Sequence, residues 1–418
     1  MDSAATADET VRLLFSCHNS QEVENFVPVA EAIEDRNRSV SIDFLSQDPI
    51  YRQDATEALS EHDVSTIDTD IYPYALEEPY AFVSALDKVR AMYHTASALQ
   101  PLAAEYDLIV FGYDGIPMRA MAAAADRASV PTVQIVQGFL HQRPTLEPGL
   151  TNRVAHVTKG VARSQLLARL PRLGFLRRDQ TTGRGHDGEI YVAGEHTKDT
   201  LVVSGVDPKR VTVTGVPRFR RLFERADEDL SVGGEQPFDV LYICSGYASH
   251  GLPTMAEVQQ EQIERLSREA VERGIRFEVR PHPRSRGEWH RLVPDSDLVT
   301  ISETSTDLYQ SIMDSDVVVT INSTVAYEAA LLGRPVILAR FPEADCEWIA
   351  DAPMADDFRV VTSPTMLFDL VEEIGTTQSV AQQVVQTGRE NAYRVIDRNT
   401  PDSPETIATA LLETIDTS

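Results

Sequence analysis

Short apolar runs alternate along this chain with segments whose apolar residues recur every three or four positions. Residues 11–16 predict a strand, 23–35 a helix, 39–45 a strand and 54–61 a helix. Strands over 108–111 and 131–136 flank an alanine-rich helix over 118–128, and strands at 191–193 and 211–214 flank a helix over 197–204. Such alternation predicts a parallel sheet covered by helices on both faces. Residues 224–237 are polar, contain a Gly-Gly pair and lack apolar periodicity, so they predict a linker. The alternation then restarts, with strands at 238–244, 275–279, 297–301, 316–320 and 336–339 and helices at 255–273 and 307–314. Three helices, over 364–373, 380–397 and 404–414, finish the pattern.

The expected organisation is a frayed acidic tail (1–10), a Rossmann-like domain (11–223), the linker and a second Rossmann-like domain (238–390). The helices of 391–418 are expected to return to the first domain. The fold class is α/β, with two doubly wound parallel sheets facing a central crevice. Ligands of such sheets sit at the carboxyl ends of the strands.

Composition narrows the partners. The 418 residues carry 65 acidic and 38 basic side chains, a formal net charge of -27, and only four lysines. Abundant carboxylates with little lysine suit concentrated salt, where screening weakens self-repulsion, and predict a protein of the halophilic archaeal type. Such a surface repels nucleic acid. Cys17, Cys244 and Cys346 are scattered, which argues against a disulfide framework or a thiolate metal site. No run approaches the ~20 apolar residues of a membrane span, and the amino-terminal residues do not read as a signal peptide, so a cytoplasmic location is expected.

Candidate chemistry gathers where the strand over 316–320 gives way to a helix. Asn322, Ser323 and Thr324 occupy the turn, and Glu328 lies about one helical turn further on. Open backbone N–H groups at a helix N-terminus attract anions. Small hydroxyl residues there would let a diphosphate approach, and the carboxylate would accept the hydroxyls of a ribose. The alternative is a plain Ser323 cap with Glu328 facing solvent.

Several pieces, in order, resemble the GT-B superfamily of glycosyltransferases and their relatives, the UDP-GlcNAc 2-epimerases. Residues 20–33 resemble the first helix, and 194–218, ending in Thr214-Gly-Val-Pro217, resemble the last amino-domain helix, strand and turn. Arg280-Pro-His-Pro-Arg284 resembles the His-Pro turn of capsule-polysaccharide and glycerophosphate polymer transferases. The 322–337 stretch, with Glu328-Ala and Gly333-Arg-Pro-Val-Ile337, completes the set. The resemblance implies a nucleotide-sugar donor held by the second domain, with Glu328 on the ribose and Ser323 and Thr324 on the diphosphate. Ser245, Gly246, Arg280 and His282, at neighbouring strand ends, are expected to meet phosphate. Glu343 and Asp345 follow another strand and are candidates for the donor sugar. The nucleotide-sugar is a substrate, so no cofactor is expected. No metal is required either, because a helix dipole and cations can neutralise the leaving group.

Three residues are candidates for the base that removes the acceptor's proton. His18 ranks first, by resemblance to the histidine base of several GT-B families, followed by Asp114 and then His141; each can equally cap the helix behind it. An epimerase reading is weakened at Val136-Gln-Gly-Phe139, where glutamine replaces the glutamate of the epimerases' turn and cannot exchange a proton. Residues 151–178 contain no acid but carry Arg153, Lys159, Arg163, Arg169, Arg172, Arg177 and Arg178 among apolar side chains. This basic segment suits a membrane surface and a lipid-linked acceptor at the inner leaflet, or a contact with the protein's own acidic surface. The expected function is transfer of a sugar or polyol phosphate from a nucleotide donor to a glycan or lipid-linked acceptor, with a non-catalytic nucleotide-sugar-binding protein as a further reading.

Overall fold

The computed structural model describes residues 10–36, 39–51, 54–72, 85–112, 116–136, 182–226, 239–247, 253–283, 289–303, 306–341 and 354–416. Asp114, Gln137, His141, Glu343, Asp345, the basic segment 151–178, the tail 1–9 and linker residues 227–237 lie outside the described residues. The chain divides into two compact units. The first runs to Arg220 and resumes at Asp397; the second runs from Arg221 to Ile396.

In the first unit, β1 (Val11–Cys17) leads through α1 (Ser20–Arg36) to β2 (Val40–Ser46). A helix absent from the predicted elements, α2 (Ala85–Ala103), precedes β3 (Leu108–Phe111). Then follow α3 (Ile116–Ala128), β4 (Thr132–Ile135), β5 (Glu189–Val192), α4 (Glu195–Val203) and β6 (Val211–Val213). All strand pairs are parallel and the order is β2-β1-β3-β4-β5-β6. Every residue of β3 and β4 is buried, as expected of central strands covered on both faces. On one face Ala120, Met121, Ala124 and Ala125 of α3 pack with Ala96, Leu99 and Ala103 of α2 over Ile109 and Phe111. Alanines let two helices approach closely, and each large side chain buried there stabilises the unit by roughly 1.5–3 kcal/mol.

The second unit repeats the scheme with a different order. It contains β7 (Asp239–Ile243), α5 (Pro253–Arg273), β8 (Arg276–Arg280), β9 (Val299–Ile301), α6 (Leu308–Asp314) and β10 (Val317–Thr320). After them come α7 (Val325–Leu331), β11 (Val336–Ala339), the unpredicted edge strand β12 (Arg359–Val361), α8 (Pro364–Thr376) and α9 (Gln378–Val395). The strand order is β12-β11-β10-β7-β8-β9, all parallel. Ile263, Leu266 and Ala270 of α5 and Leu367, Phe368 and Val371 of α8 cover Tyr242, Phe277, Val317 and Ile337.

Past Asp397 the chain is back in the first unit. Asp397 N–H donates to Ala193 O at 2.8 Å. The final helix, α10 (Ser403–Asp416), lies along α1, where Arg36 Nη1 donates to Glu405 O at 2.7 Å. Gly215 makes the return possible: its φ is +73°, and a Cβ there would sit 2.7 Å from Thr400 Cα. Only glycine fits such an approach.

Candidate functional site

In a doubly wound sheet the chain winds outward from one strand in both directions, and between the first strands of the two runs no crossover helix covers the carboxyl ends. In the second unit this switch falls between β7 and β10. Ser245 and Gly246 follow β7, and Asn322, Ser323 and Thr324 follow β10, so the topology brings these candidates together. Thr320 Oγ1 donates to Ile243 O at 2.9 Å and Ser245 Oγ to Asn322 O at 3.4 Å, tying the two strand ends to each other.

The Ser245 backbone is clamped by a residue the sequence pattern did not single out. Gln259 of α5 is buried; its Oε1 accepts the Ser245 N–H at 2.7 Å and its Nε2 donates to Ser245 O at 3.2 Å. One turn on, buried Gln262 donates to Ala339 O at the end of β11, and Tyr242 OH donates to Gln262 Oε1. Two glutamines on an otherwise apolar helix face were the available signal.

The turn after β10 corrects one expectation. Its helix was expected to offer open N–H groups. Instead Val325 N–H donates to Ser323 Oγ at 3.4 Å, Ala326 N–H to Ser323 O at 3.0 Å and Tyr327 N–H to Thr324 O at 3.1 Å. A tight i→i+3 turn leads into α7 and takes up these three N–H groups, and α7 has only seven residues. The Ser323 hydroxyl, accepting from Val325, still has a proton to donate. Asn322 Oδ1 is buried with no hydrogen-bond partner, a position that costs about 1–3 kcal/mol unless a donor arrives. Glu328 does not face solvent: it is 6% exposed, in a helix whose residues from Ala326 to Leu331 are all buried.

Arg280 ends β8 and is also buried. Its Nη1 donates to Thr306 Oγ1 at 2.7 Å and Ser311 Oγ at 2.9 Å, and its Nη2 to Thr306 O. Most of the fork expected on phosphate therefore fastens β8 to α6 and the turn before it. Burial lowers the Arg280 pKa from the ordinary arginine value, with Glu278 and Asp307 opposing the shift. His282, two residues on, is half-buried.

The first unit's switch falls between β1 and β3. His18 follows β1 there and is buried. Its Nδ1 lies 2.7 Å from Glu22 Oε1, and its backbone N–H donates to Glu22 Oε2, also at 2.7 Å. Asn19 Oδ1 accepts the Glu22 N–H at 3.0 Å, capping α1, and Asn19 Nδ2 lies 3.1 Å from His18 Nε2. Gly112, just past β3, faces Glu22: a Cβ on it would sit 2.2 Å from Glu22 Oε1. Cys17 is buried beside this group, and burial pushes its thiol pKa well up, so it stays protonated. Sequence reasoning missed Glu22, although Asn19-Ser-Gln-Glu22 has capping-box spacing directly after His18.

The sequence has Asp-x-Asp triplets at 68–70, 227–229, 295–297 and 314–316. Asp68 Oδ1 accepts the Asp70 N–H in a surface turn, and Asp316 Oδ2 accepts the Asp239 N–H at the amino end of β7; residues 227–229 lie outside the described residues. Among the described residues no three His, Cys, Asp or Glu side chains gather as a metal site.

No family model and no curated protein matches the sequence. Solved structures do. A UDP-N-acetylglucosamine 2-epimerase matches with a TM-score of 0.60 at 12% identity, over 98% of this chain and 97% of the other. A variant of the wall teichoic acid polymerase TagF matches with 0.56 at 12% identity, over 98% and 90%. The chain has the GT-B fold. UDP-GlcNAc 2-epimerase from Neisseria meningitidis, bound to UDP-GlcNAc, shares it with a TM-score of 0.55 at 14% identity over 96% and 99%. At these identities the likeness is one of GT-B architecture. Among the described residues no helix is long and apolar enough to cross a membrane.

Proposed function

We propose that this GT-B protein is a glycosyltransferase that moves a sugar, or a polyol phosphate, from a nucleotide donor to a glycan or lipid-linked acceptor. The observation that supports the reading is that His18 in the first unit, and Ser245, Asn322 and Ser323 in the second, lie at the topological switch of their sheets, the position where such sheets bind ligands. The second unit would hold the donor. Glu328 would accept the ribose hydroxyls, and the Ser323 and Thr324 hydroxyls with the Gly246 backbone and His282 would donate to the diphosphate. Asn322 Oδ1 would accept an N–H or O–H of the donor.

His18 of the first unit supplies the base. For a sugar donor, its Nε2 takes the acceptor hydroxyl's proton as the hydroxyl oxygen bonds to the anomeric carbon. The bond from that carbon to the diphosphate oxygen breaks, and the nucleoside diphosphate leaves with the electron pair.

A second reading, sugar-nucleotide isomerisation, is favoured by the likeness to epimerases and opposed by Gln137. Incubation with labelled UDP-, GDP- and CMP-sugars and lipid extract in molar KCl separates the readings. Label passing into lipid or polymer supports transfer. A converted sugar nucleotide supports isomerisation, and binding without turnover supports a non-catalytic nucleotide-sugar-binding partner of another transferase.

A further inference from the structure

We infer that Glu22 is the positioning residue of His18, holding the imidazole with its proton on Nδ1 so that Nε2 keeps its lone pair. The inference rests on the reading of His18 as the base.

The tautomer follows from hydrogen-bond bookkeeping. Asn19 caps α1 through Oδ1, which accepts the Glu22 N–H, so the end of its amide facing the ring is the NH₂. An amide N–H can only donate. His18 Nε2, 3.1 Å away, is therefore the acceptor, and the neutral ring carries its proton on Nδ1. That nitrogen lies 2.7 Å from Glu22 Oε1 as an ion-pair contact, off the line of a hydrogen bond, so the carboxylate stands beside the N–H side of the ring.

Helix capping alone does not explain Glu22. A glutamate at the third helical position caps by reaching back to one backbone N–H. Glu22 does so with Oε2, on the His18 N–H, and places its second oxygen at the ring. It does this while fully buried, although it could have remained in water. Gly112 leaves the space: any side chain on that strand end would overlap the carboxylate. The Asn19 amide occupies the Nε2 lone pair, in the place an acceptor hydroxyl would take.

The test uses full-length protein labelled with ¹⁵N-histidine, with the His18 resonances assigned from His18→Gln. Long-range proton–nitrogen correlation at a pH where the ring is neutral should show a bare Nε2 in the parent. In Glu22→Gln the new amide donates to Nδ1, so the proton should move to Nε2. Turnover of the labelled donor should fall about 10²–10⁴-fold, the range of general-base contributions, with donor affinity unchanged. Glu22→Asp, which keeps the carboxylate, should keep the Nδ1 proton and recover part of the turnover. A parent spectrum with the proton on Nε2, an unchanged tautomer in Glu22→Gln, or full turnover in that variant overturns the inference. The parent and Glu22→Asp spectra decide it if Glu22→Gln does not fold. Retained turnover in His18→Gln would refute the base reading instead, while the tautomer would still report whether Glu22 holds the ring.

Discussion

An imidazole accepts a proton at its bare nitrogen, and it does so at a chosen hydroxyl best when the ring is held. At His18 those conditions come from two neighbours on its own helix start and one glycine just past β3. His18→Ala should lower turnover about 10²–10⁴-fold with donor affinity intact, compared by single-turnover rates and calorimetric titration; an unchanged rate would pass the role to another group. Glu328→Ala should weaken donor binding by about 1–3 kcal/mol, the range of a hydrogen bond to a charged group, and unchanged affinity would remove the carboxylate from the ribose. The position of Glu328 was legible, since a carboxylate one turn past a hydroxyl-rich strand end stands in the local sequence. Its burial was not, and neither was the partnership of Glu22 with Gly112. Asn19-Ser-Gln-Glu22 reads as a helix start, and what turns its second oxygen inward is a strand end far along the chain.

Elements decide where those residues can act. The Gln259 clamp holds the Ser245 loop, so Gln259→Leu would leave the buried Ser245 N–H without its acceptor. A loss of about 1–3 kcal/mol in denaturant unfolding is expected, with weakened donor binding. Unaltered stability would show that the clamp carries no load. Most strands and helices were readable from periodicity because their buried faces are continuous. The exceptions have physical causes. β12 is a three-residue edge strand with two exposed positions, too short to stand out. α2 carries Pro101 near its end and polar His94 and Thr95 within it, which break the apolar repeat. Strand order was not readable at all. Alternation predicts parallel neighbours but not which edge each new strand joins, and the switch points depend on that choice.

At the scale of the molecule, charge and connectivity matter most. A net charge of -27 opposes compaction in dilute buffer, and screening relieves it. The melting temperature should therefore rise from 0.2 to about 2 M KCl, as followed by circular dichroism, and a flat or falling profile would count against adaptation to salt. Deleting the chain from Asp397 onward should destabilise the first unit specifically. It removes the cover of α1, with buried Ile407, Ala408 and Leu411, of which the isoleucine and the leucine are each worth up to about 3 kcal/mol. Hydrogen exchange along α1 would report the loss, and unchanged protection would show that α1 needs no cover. Two domains were legible from the restarted alternation, and the last helices were expected to return to the first of them; that α10 would lie on α1 was not legible, because an amphipathic face does not name what it covers.

The return of α10 to α1 also sets an order of events on the ribosome. The unit translated first is completed last, because its covering helix emerges only after the whole second unit has been made. During synthesis the apolar side of α1 must wait uncovered, or be held by a chaperone, while Arg221–Ile396 folds ahead of it.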